Sequence, residues 1–149
     1  MTFKQKIHQH YSLQVQDKID AFRDMIAALT EDSKNDAKGS AGDKHETALS
    51  MMHIEQEKLN RKLAEFLEQK SVLDKIDAEA VSSKTVLGSL VQTNHMLLYI
   101  STALPKITID GKAIVAVSPQ SPLGSKLLGN EAGFGFEIMG TNYVIESIG

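Results

Sequence analysis

Apolar side chains recur through the first part of the chain with the spacing of a helix. Phe3, Ile7, Tyr11, Val15, Ile19, Phe22, Ile26 and Leu29 follow one another at steps of 4, 4, 4, 4, 3, 4 and 3, which lines them along one helical face. A second run, Leu49, Met52, Leu59, Leu63, Phe66, Leu73 and Ile76, steps by 3, 7, 4, 3, 7 and 3. That is a heptad seam, interrupted where Gln56 and Lys70 fall at seam positions. Neither stripe is broad enough to make a core by itself, and zipping the two into an antiparallel hairpin covers both. At about 1.5 Å rise per residue each arm reaches roughly 40 Å. The same seam would also serve two chains; the single-chain hairpin, and with it a monomer, is the expectation. Between the arms, Glu31 to His45 contains no large apolar residue, so the tip turn is predicted near 31–45. Periodicity fades after Asp74, and the hairpin is expected to occupy residues 1–78.

The period then changes. Val86 to Thr93, Met96 to Thr102, Ile107 to Ile109, Ala113 to Ser118, Phe134 to Met139 and Tyr143 to Ile148 are short runs rich in β-branched and aromatic residues. Asp110-Gly111 and Gly140-Thr141-Asn142 supply hairpin turns. Ser121 to Gly129 reads as one short helix, with Ser121 as N-cap, Pro122 at the first helical position and Gly129 just past the end. The expected fold class is α+β: a coiled-coil hairpin followed, over 79–149, by an antiparallel sheet carrying one short helix.

Composition sharpens this division. All three prolines, and every glycine except Gly39 and Gly42, lie in the second part. Residues 1 to 80 hold 12 Lys and Arg against 15 Asp and Glu, while residues 81 to 149 hold 4 of each. The chain has no cysteine, which excludes thiol nucleophiles, disulfides and zinc-thiolate or iron–sulfur sites. A net charge of −3 argues against direct grip on a polynucleotide, which calls for a basic face. The opening residues lack the apolar core of a leader, and no run approaches the roughly 18 apolar residues of a membrane span. A cytoplasmic protein that does not enter membranes is expected.

Gly42-Asp43-Lys44-His45-Glu46-Thr47-Ala48 opens the second arm and resembles the Gly-Asp-x-x-Glu-x-Ala signature of the GreA/GreB transcript-cleavage factors of bacterial RNA polymerase. The second part is similar to theirs through Gly88-Ser-Leu-Val91, Ser118-Pro-Gln-Ser-Pro-Leu-Gly124, Lys126-Leu-Leu-Gly129 and the closing Tyr143-Val-Ile-Glu-Ser-Ile148. The chain departs from the family at Lys44 and Thr47, where an apolar residue and Asn are usual, and at 132 to 136, where Ala-Gly-Phe-Gly-Phe stands. The resemblance implies an FKBP-like C-terminal domain that docks on the polymerase, with Ser121, Pro122, Leu123 and Gly124 in the docking loop. It also implies a finger entering the secondary channel, so that RNA and DNA are met only through the polymerase. Asp43 and Glu46 would be the acids that help hold a second Mg²⁺ there. The protein is then an accessory factor rather than an enzyme, and the cleavage of backtracked RNA belongs to the polymerase site. The alternative is a channel-binding inhibitor without cleavage activity, and a third reading is a coiled-coil adaptor with no polymerase role.

Chemistry constrains these roles. Two-metal phosphodiester hydrolysis needs one ion on the attacking water and one on the leaving oxygen. Mg²⁺ keeps several waters, so one or two added carboxylates hold it only when phosphates complete its shell. Asp43 and Glu46, three apart at a helix start, lie on one face. The same pair is close to a capping box, with the Asp43 side chain accepting from the Glu46 backbone N–H and both acids favouring the positive helix end. The two roles are compatible. His45 is expected to face solvent rather than bind zinc, because adjacent helical residues point apart. Lys34, Lys38 and Lys44 read as ordinary mixed surface charge, and Met51 and Met52 as seam packing. Ser118 and Ser121 have no placed His and Asp partners for hydrolase chemistry. With only Tyr99, Phe134, Phe136 and Tyr143 as aromatics in this half, a binding module is expected rather than a prolyl isomerase.

Overall fold

The computed structural model describes the backbone of residues 1–39 and 43–149, and the side chains of 1–32 and 47–149. The element order is α1 (Phe3–Gly39), α2 (Asp43–Asp74), β1 (Leu90–Thr93), β2 (Leu97–Ile100), β3 (Leu104–Ile109), β4 (Lys112–Val117), α3 (Pro122–Leu127), β5 (Gly135–Ile138) and β6 (Thr141–Ile148). The protein is α+β, a helical hairpin followed by a six-stranded sheet. It divides into two compact units, Leu13–Lys70 and the combination of Met1–Ser12 with Ser71–Gly149.

In the helical unit the two predicted stripes meet. The Phe22 and Phe66 rings pack edge to face with centroids 5.1 Å apart, and Gln56 Nε2 donates to Thr30 Oγ1 at 3.0 Å. Residue 22 opposite 66 and residue 30 opposite 56 require antiparallel arms within one chain. Gln56, an interruption in the heptad pattern, therefore has a polar mate on the facing helix. That is the condition under which a seam tolerates an amide without an unsatisfied group. Val15, Ile19 and Phe66 are buried. The helices enter the segment between the arms from both sides, to Gly39 and from Asp43. Lys38 and Lys34 thus lie on α1, while their side chains, with those of Asp43, Lys44, His45 and Glu46, fall outside the described set.

The sheet has strand order β3-β4-β2-β1-β6-β5. All neighbours run antiparallel except β2 and β4, which are parallel in the register Leu97↔Ile114 to Ile100↔Val117. The expectation of a purely antiparallel sheet is corrected at this pair. Alternation along a strand records which face is buried but not which neighbour it joins. Here the chain leaving β2 passes the end of β4 to form an outer β3–β4 hairpin. That hairpin turns at Asp110 and Gly111 with φ of 50° and 79°, the primed turn that matches strand twist. The β5–β6 hairpin turns at Met139 and Gly140 (φ 50° and 81°), with Ile138 opposite Thr141. The predicted Gly140–Asn142 turn thus sits one residue earlier, where Gly140 takes the second left-handed position.

One face of the sheet packs on α3 around Val91, Leu98, Ile100, Leu127 and Ile145. The other face buries Tyr99, Ile107, Ile114 and Ala116 together with Ile7 and Tyr11 from the opening turns of α1. Tyr11 lies parallel to Tyr99 at 6.3 Å between centroids, and its hydroxyl donates to Pro105 O at 2.8 Å. The first positions of the N-terminal stripe thus serve the sheet domain, giving it a second covered face that a four-to-eight-residue strand pattern cannot announce. Among the described residues, no helix is long and apolar enough to cross a membrane.

Candidate functional site

The predicted site residues fall in two places. Asp43 is the first residue of α2 and Glu46 lies in its first turn, so the backbone puts the pair at a helix start, one turn apart. Their side chains lie outside the described residues, as does that of His45. Among the described residues no group of three or more His, Asp or Glu is placed to hold a metal.

Ser121, Pro122, Leu123 and Gly124 are brought together at the start of α3. Ser121 is the N-cap, its Oγ accepting from Gly124 N at 3.0 Å and donating to Ser118 O at 2.7 Å. Pro122 stands in the first turn, where its missing N–H costs nothing. A Cβ on Gly124 would come within 2.0 Å of Ser118 O and 2.9 Å of Ser121 Oγ, so only glycine lets the Ser118–Ser121 turn close onto the helix. Upstream, Ser118 Oγ donates to Gln120 Oε1 and accepts from Gln120 N. Leu123 packs against the buried cluster. The loop is a rigid, self-bonded corner that presents backbone and serine edges at the surface.

A polar cluster that the sequence did not flag lies where α1 meets the sheet domain. The Tyr99 hydroxyl and His8 Nδ1 are 2.7 Å apart. Burial lowers the His8 pKa below its usual value, with Asp74 opposing and Lys4 reinforcing that shift. Burial pushes the Tyr11 hydroxyl up to about 12 and raises that of Tyr99 further. Lys4 is buried, its Nζ donating to Ala80 O at 2.6 Å, and burial lowers its pKa against the pull of Asp77. Lys4, His8 and Tyr11 stand at i, i+4 and i+7, which is stripe spacing. The signal was there, but only Tyr11 belongs to an apolar alphabet.

No family model and no curated protein matches the chain. Among solved structures it is similar to one described as the transcription factor Gfh1, at 14% identity and a TM-score of 0.35, covering 92% of each chain. A superposition that loose assigns neither family nor activity.

Proposed function

We propose that the protein is a Gre-type transcription factor. It binds RNA polymerase through its sheet domain and places the start of α2 in the secondary channel, where Asp43 and Glu46 assist cleavage of backtracked RNA. The observation that carries this reading is the coincidence of three features. The hairpin is antiparallel within one chain, the acidic signature opens its second helix, and a sheet domain with a self-capped Ser121–Gly124 corner follows. Each is common alone; their order along the chain is what the transcript-cleavage factors resemble.

A bound Mg²⁺ would polarise the attacking water and stabilise charge at the scissile phosphate. The work of this chain is positional. Two carboxylates one helical turn apart supply oxygen donors on a common face, and the positive end of α2 favours their ionised form. The Ser121 corner, held by its own hydrogen bonds, offers a preorganised docking edge with little conformational entropy left to lose.

The second reading, a channel-binding inhibitor, shares the docking and differs only in whether the acids act. Stalled, backtracked elongation complexes incubated with the protein and Mg²⁺ separate the two. Release of short 3′ RNA fragments supports the cleavage factor, whereas slower elongation with no fragments supports the inhibitor. Failure to bind polymerase at all removes both.

A further inference from the structure

The sheet has two edges, and they are finished differently. At the β3 edge Pro105 lacks an N–H, its carbonyl is taken by the Tyr11 hydroxyl, and Lys106 is exposed. These are the devices that stop strand addition. The β5 edge, Gly135–Ile138, has neither proline nor lysine. In a hairpin closed by two residues, the flanking pair Ile138↔Thr141 is hydrogen-bonded, and alternation then turns the N–H and C=O of Gly135 and Glu137 away from β6. Both residues are exposed.

The two faces beside this edge differ in chemistry. On one, His95, Tyr143, Phe136 and Phe134 form a continuous row of rings, with successive centroids 5.1, 5.3 and 5.9 Å apart. Phe134 at its outer end is 40% exposed. On the other, Glu137 lies opposite Asn142 and diagonal to Val144, which is 40% exposed. Met139 at the turn is 99% exposed. Residues 127 to 149 contain Glu131, Glu137 and Glu146 and no Lys or Arg. None of these acids enters an ion pair among the described residues.

We infer that β5 is a docking edge for an extended basic segment of a partner protein, added as a further strand with basic and apolar side chains alternating. The strand's backbone pairs with Gly135 and Glu137. Its apolar side chains fall on the Phe134–Phe136 side and its basic ones opposite Glu137, the arrangement in which directly opposed charges stabilise a sheet. Charge selects this occupant over others. A second copy would bring the same acidic hairpin, and RNA would meet Glu137 with no basic residue on β5 or β6. The inference does not depend on the proposed function.

The test uses the full chain and a fluorescein-labelled peptide of alternating arginine and valine, read by anisotropy. Two further peptides accompany it, one of alternating glutamate and valine and one in which proline replaces the central valine of the basic peptide. Binding of the first peptide alone is expected. Glu137→Lys, an exposed substitution whose fold is checked by circular dichroism, should weaken it roughly fivefold, the size of one good cross-strand pair. The proposal is overturned if the proline-interrupted peptide binds as well as the uninterrupted one, since charge alone then suffices. It is equally overturned if none of the peptides binds, or if Glu137→Lys binds like the parent.

Discussion

Gly124→Ala tests whether the Ser121–Gly124 corner is built as described. The added methyl would sit 2.0 Å from Ser118 O and 2.9 Å from both Ser118 C and Ser121 Oγ, and two of these three are backbone atoms that no rotamer change can move. Relief requires the Ser118–Ser121 turn to open. That breaks the Ser121 Oγ hydrogen bonds to Gly124 N and Ser118 O, so the substitution combines overpacking with loss of the cap. Overpacking costs about 1–3 kcal/mol and a lost serine cap about 1 kcal/mol, giving roughly 2–4 kcal/mol. In a domain of this size each kcal/mol lowers the melting temperature by about 4–8 °C. Thermal unfolding of the full chain, followed by circular dichroism, should therefore show the sheet domain melting at least about 8 °C lower. Ser121→Ala, which removes the cap without the clash, should cost about 1 kcal/mol. A Gly124→Ala melting temperature indistinguishable from the parent would refute the close approach, and with it the view of the corner as a rigid docking edge.

Other substitutions probe the two units separately. Tyr11→Phe removes only the bond to Pro105 O and should cost about 1 kcal/mol in denaturant unfolding, whereas Tyr11→Ala should cost about 3–5 kcal/mol through the cavity it leaves; equal losses would deny the stacking on Tyr99 any weight. A double-mutant cycle on Phe22→Ala and Phe66→Ala should give a coupling of about 0.5–1.5 kcal/mol, and zero coupling would mean that the arms are not paired in this register. Because burial lowers the His8 pKa, the folded state binds fewer protons than the unfolded one below pH 6.5. Stability should then fall as the pH drops from 6.5 toward the folded value, and His8→Phe should flatten that slope. The raised Tyr11 pKa acts at the other end: its contribution is intact below the unfolded value near 10 and declines as pH rises toward about 12, so Tyr11→Phe should reduce alkaline sensitivity in pH-jump unfolding.

Much of the architecture was legible because it rests on local physics. The 3.6 and 3.5 periodicities located both helices, although α1 runs on to Gly39 through part of the segment expected to turn, and the Phe22–Phe66 contact confirms the seam. Ser121, Pro122 and Gly129 marked α3 through capping chemistry that needs no tertiary partner. The six strands were found as short β-branched runs, but the parallel β2–β4 pair was not, since strand direction depends on the path of the connection. Nor could the stripe tell that Ile7 and Tyr11 face a sheet while Phe22 faces a helix: an apolar face looks the same whichever surface covers it. Lys4 and His8 stayed hidden because polar residues at stripe spacing are usually solvated. The tip acids were legible only as a motif, and their chemistry depends on a partner's phosphates and metal.

The most direct test of the proposed role is the release of 3′ RNA fragments from backtracked polymerase, measured with the parent protein, Asp43→Ala and Glu46→Ala at matched occupancy. The account expects fragments with the parent and none with either variant, while both variants bind polymerase within a few fold of the parent. Fragment release that survives both substitutions would contradict it, as would a parent protein that binds and releases nothing.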